Sequence, residues 1–352
     1  MKIKTFLRNI KDEKSIQSET MNGLNFDGED LNDTKYIDCI FNHCIFKNVN
    51  LENSTYIGVT FNNCFFIETD LAGAMLNDIS FVNVEFVRSI FYEAMFSNAN
   101  FENTLFKSLN LQSTMISESK FNKITFESVQ FDEAIFAKVT MENIIFKKSN
   151  FYKTSIVEAS FERVKFDDVD IRKSIFNNLT LKNQDFSNKT LEHCHFIGSD
   201  LSGCNFMGAK LVQNFFMQTN LSNTNFENVE ASLSSFEGSN LSNSNFKNAD
   251  LSITSFIGAV GENINFENAN MSSSNLSKIS VSKANFTNTN LMYSLLDYSH
   301  IYKSTFYKSN LSFCSFHSVT HTNSLFFRTN KKFARYDDKK LLKAENWKRD
   351  VS

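Results

Sequence analysis

A chain of 352 residues is long enough for two ordinary domains, yet this one holds 39 phenylalanines, one tryptophan and no proline. An average chain is about 5% proline. Its absence points to a fold in which nearly every backbone N–H serves a ladder, because proline has no donor to give. A net charge of −3 excludes the basic body of a bulk nucleic-acid binder, and no run approaches the roughly 18 apolar residues of a membrane-spanning helix.

The N-terminal segment MKIKTFLRNIKDEKS is basic but lacks the apolar stretch of a secretory signal. Cytosolic synthesis is expected, with export by another signal left open. Ile3, Phe6, Leu7 and Ile10 fall at i, i+3, i+4 and i+7, the apolar stripe of an amphipathic helix. Residues 1–20 are therefore read as a helical cap.

From Phe26 to Phe326 every fifth position is a repeat centre. The 61 centres hold 33 Phe and 16 Leu, and only Ala231, Gly261 and His321 are not large and apolar. Two residues before each centre lies a second set of mostly small residues, which includes all six cysteines: Cys39, Cys44, Cys64, Cys194, Cys204 and Cys314. Nine of the ten glycines lie two residues after a centre, where a chain would turn. A period of five fits neither a helix nor a flat strand. It fits an all-β coil that turns a corner every five residues and points one large and one small side chain inward per side.

Segments such as Ala249-Asp250-Leu251-Ser252-Ile253, Ala99-Asn100-Phe101-Glu102-Asn103 and Ser199-Asp200-Leu201-Ser202-Gly203 resemble the A(D/N)LXX consensus of pentapeptide-repeat proteins. The resemblance covers about residues 24–328. It implies a right-handed quadrilateral β-helix of about 15 coils, with short helical caps at the termini and residues 20 apart stacked. A β-helix spanning 21–329 is expected. Phe would then stack in one column from Phe26 to Phe326.

One face would carry Met75, Met95, Met115, Ile135 and Ile175 just before its centres, with Asp38, Asp78, Glu118 and Glu158 beyond them. An apolar stripe beside a spaced acidic row is a candidate partner-binding surface. Further along, Gln184 and Lys189 occupy inward small-residue positions, so a seam is expected near 183–190. Ala231 and Gly261 leave their columns underfilled, and neighbouring rings closing the gap are expected rather than a bend or a small cavity. His193-Cys194-His195 does not form a metal set in this register, because the cysteine points in and the histidines out. No phosphate loop, nucleophile elbow or dinucleotide fingerprint is present. No catalytic residue, cofactor or metal is assigned, and the protein is expected not to be an enzyme.

Residues 330–352 form a basic tail, expected to be helical from a cap at Asp337 through Lys348. Residues 26–100 hold 11 acids against 3 bases, whereas 331–352 hold 4 against 8. The expected function is a non-enzymatic protein-interaction scaffold, and the resemblance extends to secreted bacterial effectors. The alternative is a DNA mimic that binds DNA gyrase or another topoisomerase, as the similar Qnr and MfpA proteins do. A homodimer through an end coil fits the family. Direct nucleic-acid binding is not expected, and membrane contact is expected only through the basic tail.

Overall fold

The computed structural model describes residues 2–345 and Trp347. Its backbone pairs with itself at a spacing of 20 residues. The Asp38 N–H donates to the Ile57 carbonyl and the Met75 N–H to the Ser54 carbonyl, both at 2.9 Å. Each coil therefore donates both forwards and backwards, and the strand pairs are parallel, with Phe26 facing Phe46 and Met75 facing Met95. The product is a quadrilateral β-helix of about 14 turns with two short helices.

A turn every five residues requires left-handed backbone. The residue two places after each centre has φ between +49° and +72°, and nine glycines sit there because they carry no Cβ to strain. The residue before the centre explains the Asp/Asn preference of the repeat. Its side chain accepts the N–H two residues on, as Asp70 does from Ala72 at 2.9 Å and Asp200 from Ser202 at 3.0 Å, which is an Asx turn.

The chain divides into two compact units, Met1–Thr180 and Leu181–Ser352. In the first, one face is a nine-stranded parallel sheet running from Ser15–Gln17 to Ile175–Asn177. Two more faces share a 14-stranded sheet, because Lys120–Glu127 and Thr140–Lys147 continue around the corner between them. The fourth is a file of single bridges through Asp30, Asn50 and Asp70 to Asp170. In the second unit most faces pair through single bridges, and only Val260–Glu262, Ser280–Ser282 and His300–Tyr302 are strands.

Both inward sets are buried throughout most of each unit. In the first unit the Phe column stacks from Phe26 to Phe166 with ring centroids 4.6–5.3 Å apart. In the second it stacks from Phe186 to Phe326 at 4.5–5.2 Å. Each ring pair adds about 0.5–1.5 kcal/mol to the burial of its area. Small polar residues are tolerated inside because their hydroxyls reach a carbonyl of the preceding coil. Thr154 donates to Phe131 and Thr219 to Phe196, both at 2.7 Å.

The ends differ from the expected boundaries. Helix α1 spans Ile3–Glu13 and stops at Lys14, whose left-handed backbone returns its N–H to Ile10. Pairing starts at Ser15, not at 21, because Ile16 and Met21 already occupy buried centre positions. Phe6, 20 residues before Phe26, adds one more ring to the column at 4.9 Å and is fully buried. At the other end the ladder runs past 329 to Arg335, which pairs with Ser315. Helix α2 is Lys339–Glu345, and none of its residues is buried. Asp338, rather than Asp337, caps it by accepting the N–H groups of Lys340 and Leu341. Asp337 accepts the N–H of Ser318 instead. Lys348 lies outside the described residues.

The seam also takes another form. Gln184 and Lys189 are half-buried rather than enclosed, and the Gln184 amide donates to the Lys182 carbonyl at 3.3 Å. The desolvation that would have forced a distortion is thus largely avoided. Gly261 leaves no void at its column. A Cβ there would lie 2.9 Å from Ile264 Cδ1 and 3.0 Å from the Leu241 carbonyl carbon, so the coil has closed on the missing side chain. Ala231 is fully buried.

Phe6→Ala should lower the unfolding free energy by about 3–5 kcal/mol, read by thermal denaturation followed by circular dichroism. It should also promote association in light scattering, since α1 covers the ladder edge at Ser15. An unchanged melting temperature would mean that α1 is not a cap.

Candidate functional site

Parallel register with no slip turns any outward position into a column about 4.8 Å per step. Met75, Met95, Met115 and Ile135 pair in succession in the nine-stranded sheet. They are 39–45% exposed, so each presents a large part of its side chain to solvent. Ser155 interrupts the column and Ile175 beyond it is half-buried. The continuous stripe is therefore four side chains long, and Ile175 stands outside it.

Asp38, Asp78, Glu118 and Glu158 are exposed at left-handed corners of the same face. Gly58, Asn98 and Lys138 alternate with them, so successive carboxylates are two coils apart. Asn98 donates to Asp78 at 2.6 Å. The row is spaced, as the alternation in the sequence demands.

Three surface features were not placed residue by residue in the sequence reading, although the acidity of the N-terminal coils was legible. First, the opposite face of the same unit exposes Ile45, Phe65 and Ile145 in one column. Second, the acids of the N-terminal coils gather. Asp70, with Asp33 and Asp30 further off, raises the pKa of the Glu52 carboxyl by like-charge repulsion. Elsewhere acids are paired, and Lys107 and then Lys147 hold Glu127 below the ordinary carboxylate range. Third, the second unit carries bulky apolar residues at one file of left-handed corners: Leu233, Ile253, Tyr293, Phe313 and Phe333. All are exposed, and the last three stack at 4.8 and 5.0 Å. The signal was in the sequence, as large apolar residues two places after a centre where Gly and Asn prevail.

Nothing in this arrangement assembles catalytic groups. All six cysteines are buried. Burial pushes the Cys204 thiol up to about 12, which suits a small core hydrophobe rather than a nucleophile. His195 faces Phe215 with ring centroids 4.7 Å apart, and burial lowers its pKa. His193 occupies a left-handed corner and Cys194 the core. Among the described residues no group of three or more His, Cys, Asp or Glu is placed to hold a metal ion, and no helix is long and apolar enough to cross a membrane.

Two parallel-coiled units with a period of five and left-handed corners define a β-solenoid of stacked five-residue sides. A family model described as a pentapeptide repeat region matches residues 119–196 and 169–246. A second, described as pentapeptide repeats (8 copies), matches 44–81, 254–288 and 264–297. The chain belongs to the pentapeptide-repeat family, whose members are generally non-enzymatic structural or interaction proteins. No curated protein matches it. Among solved structures, a trypsin-treated form of QnrB1, a plasmid-mediated fluoroquinolone resistance protein, is 15% identical over 68% of this chain and 90% of that one, with a TM-score of 0.27. HetL of the cyanobacterium Nostoc is 15% identical over 95% and 96%, with a TM-score of 0.16. Rfr23 of the cyanobacterium Cyanothece 51142 is 14% identical over 42% and 100%, with a TM-score of 0.25.

A β-branched residue in left-handed backbone costs about 1–2 kcal/mol, and Ile253 holds φ +57° while 58% exposed. Ile253→Asn should therefore raise stability by roughly 1 kcal/mol, seen as a higher midpoint of thermal unfolding. A lower midpoint would show that packing along the corner outweighs the strain.

Proposed function

We propose that the protein is a non-enzymatic interaction scaffold whose first unit docks an extended protein partner along Met75, Met95, Met115 and Ile135. The observation that carries this reading is the unbroken parallel register of four flexible or aliphatic side chains, each some two-fifths exposed. Methionine adapts its shape to a partner at little cost, and a rigid coil repeats the contact at fixed spacing. Asp38, Asp78, Glu118 and Glu158 would then read basic residues of the partner at two-coil intervals. Met95→Asp with Met115→Asp should abolish capture of a specific partner from the native host while the circular dichroism spectrum and melting temperature stay unchanged. Capture undiminished by the double variant would remove the stripe from consideration.

A second reading rests on the acidic cluster at Asp30, Asp33, Glu52 and Asp70. Clustered carboxylates, whose repulsion raises the pKa of Glu52, suit a cationic groove that ordinarily takes duplex DNA, such as that of DNA gyrase. Micromolar protein should then inhibit gyrase supercoiling or protect it from a fluoroquinolone, and Asp33→Asn with Asp70→Asn should weaken the effect at least tenfold. No change in supercoiling under either condition would sink this reading and leave the stripe untouched.

A further inference from the structure

The C-terminal end of the second unit collects what the rest of the surface keeps apart. Leu325, Phe327, Phe333, Tyr336 and Trp347 are 59–71% exposed, well beyond the methionine stripe. Around them stand Arg328, Lys332, Arg335, Lys339, Lys340 and Lys343. Among the described residues none of these six bases pairs with a carboxylate, although elsewhere in the unit Lys182, Lys247 and Lys283 do. The local acids are already committed. Asp338 caps α2, Asp337 holds Ser318, and Glu345 accepts from the Tyr298 hydroxyl and lies 3.2 Å from His317 Nε2. The Tyr298 hydroxyl, followed by His317, lowers the pKa of Glu345 and favours its charged, accepting form.

We propose that this end docks on the surface of an anionic lipid bilayer. Uncompensated bases call for a negative partner, and exposed aromatic rings beside them suit the headgroup layer, which is wet on one side and apolar on the other. The two features are coupled in the protein. Arg328 lies 5.5 Å from the Phe327 ring centroid and Lys332 lies 4.9 Å from that of Phe333, so each charge rides on a ring that would enter the interface with it. Single-stranded nucleic acid would use the rings and the charges but gain nothing from the aliphatic Leu325 and Leu341, both exposed here. A second copy meeting end to end would set the six bases against their own symmetry mates.

The only tryptophan of the chain, Trp347, is exposed just past α2, so its fluorescence reports on a contact made by this end. Full-length protein is titrated with phosphatidylcholine vesicles, with the same vesicles containing phosphatidylserine, and with a DNA oligonucleotide. A blue shift is expected with the phosphatidylserine vesicles alone, and it should fall as salt rises. Lys332→Glu with Lys340→Glu should weaken vesicle affinity roughly tenfold or more, at about fivefold per base removed. Phe327→Ser with Phe333→Ser should abolish co-sedimentation, with the melting temperature showing that the coils persist. The proposal is overturned if neutral vesicles bind as well as anionic ones, if the oligonucleotide alone shifts the emission, if lipid-free protein buries Trp347 in a dimer, or if both variants bind like the parent.

Discussion

Every residue of a coil answers to the residues 20 places before and after it, because most of the backbone hydrogen bonds run between coils and the bonds within a coil, such as Ala74 N–H to the Leu71 carbonyl, only close its turns. Met75 donates to Ser54 and Asp38 to Ile57, and the same offsets recur through both units. Nothing local would hold a five-residue side in place. The ladder therefore excludes proline, demands a left-handed corner in each five, and requires that inward side chains match those directly above and below. The Phe columns satisfy the last demand with rings that stack in one orientation, and the Asx turns satisfy the corner without glycine. Threonine and serine enter the core mostly where a carbonyl takes their hydroxyl, of the preceding coil for Thr154 and Thr219 or of the same side for Ser239 and Ser274.

That constraint explains why so much was legible in advance. A period of five with two inward sets gave a coil with a corner in every five residues, the buried cysteines and the glycine corners, since each follows from one repeated geometry, while the four sides per coil came from the resemblance to pentapeptide-repeat proteins. What escaped were places where the chain departs from it. Ile16 and Met21 continue the centre register, but the amphipathic stripe of α1 drew the expected cap as far as residue 20. Lys189 sits at an inward position by count, yet its stem can leave the core, which period alone does not reveal. Asp337 and Asp338 are adjacent acids before α2, and only the turn from Arg335 decides which of them caps it.

The candidate surface was legible as a column and not as a length. Counting in twenties places Met75, Met95, Met115 and Ile135 together, and the structure keeps them so. The same count includes Ile175, which the polar Ser155 cuts off. The corner file Leu233, Ile253, Tyr293, Phe313 and Phe333 was countable too, but corners are where small and polar residues are looked for. Bulky side chains held there against their backbone preference are the clearest local conflicts in the second unit, and such conflicts are commonly spent on function.

Gly203 and Ile253 occupy equivalent corners, although one has no side chain and the other has a branched one. A corner side chain leaves the coil without touching the core, so its identity is nearly independent of the layers it borders. Surface lettering can thus be rewritten one corner at a time while the scaffold stays constant. Length changes differently, because an insertion of any number other than a multiple of five turns centres outward, and one that is not a multiple of 20 moves every later column to another face. Such a protein can alter its surface gradually, but it can grow only in whole turns.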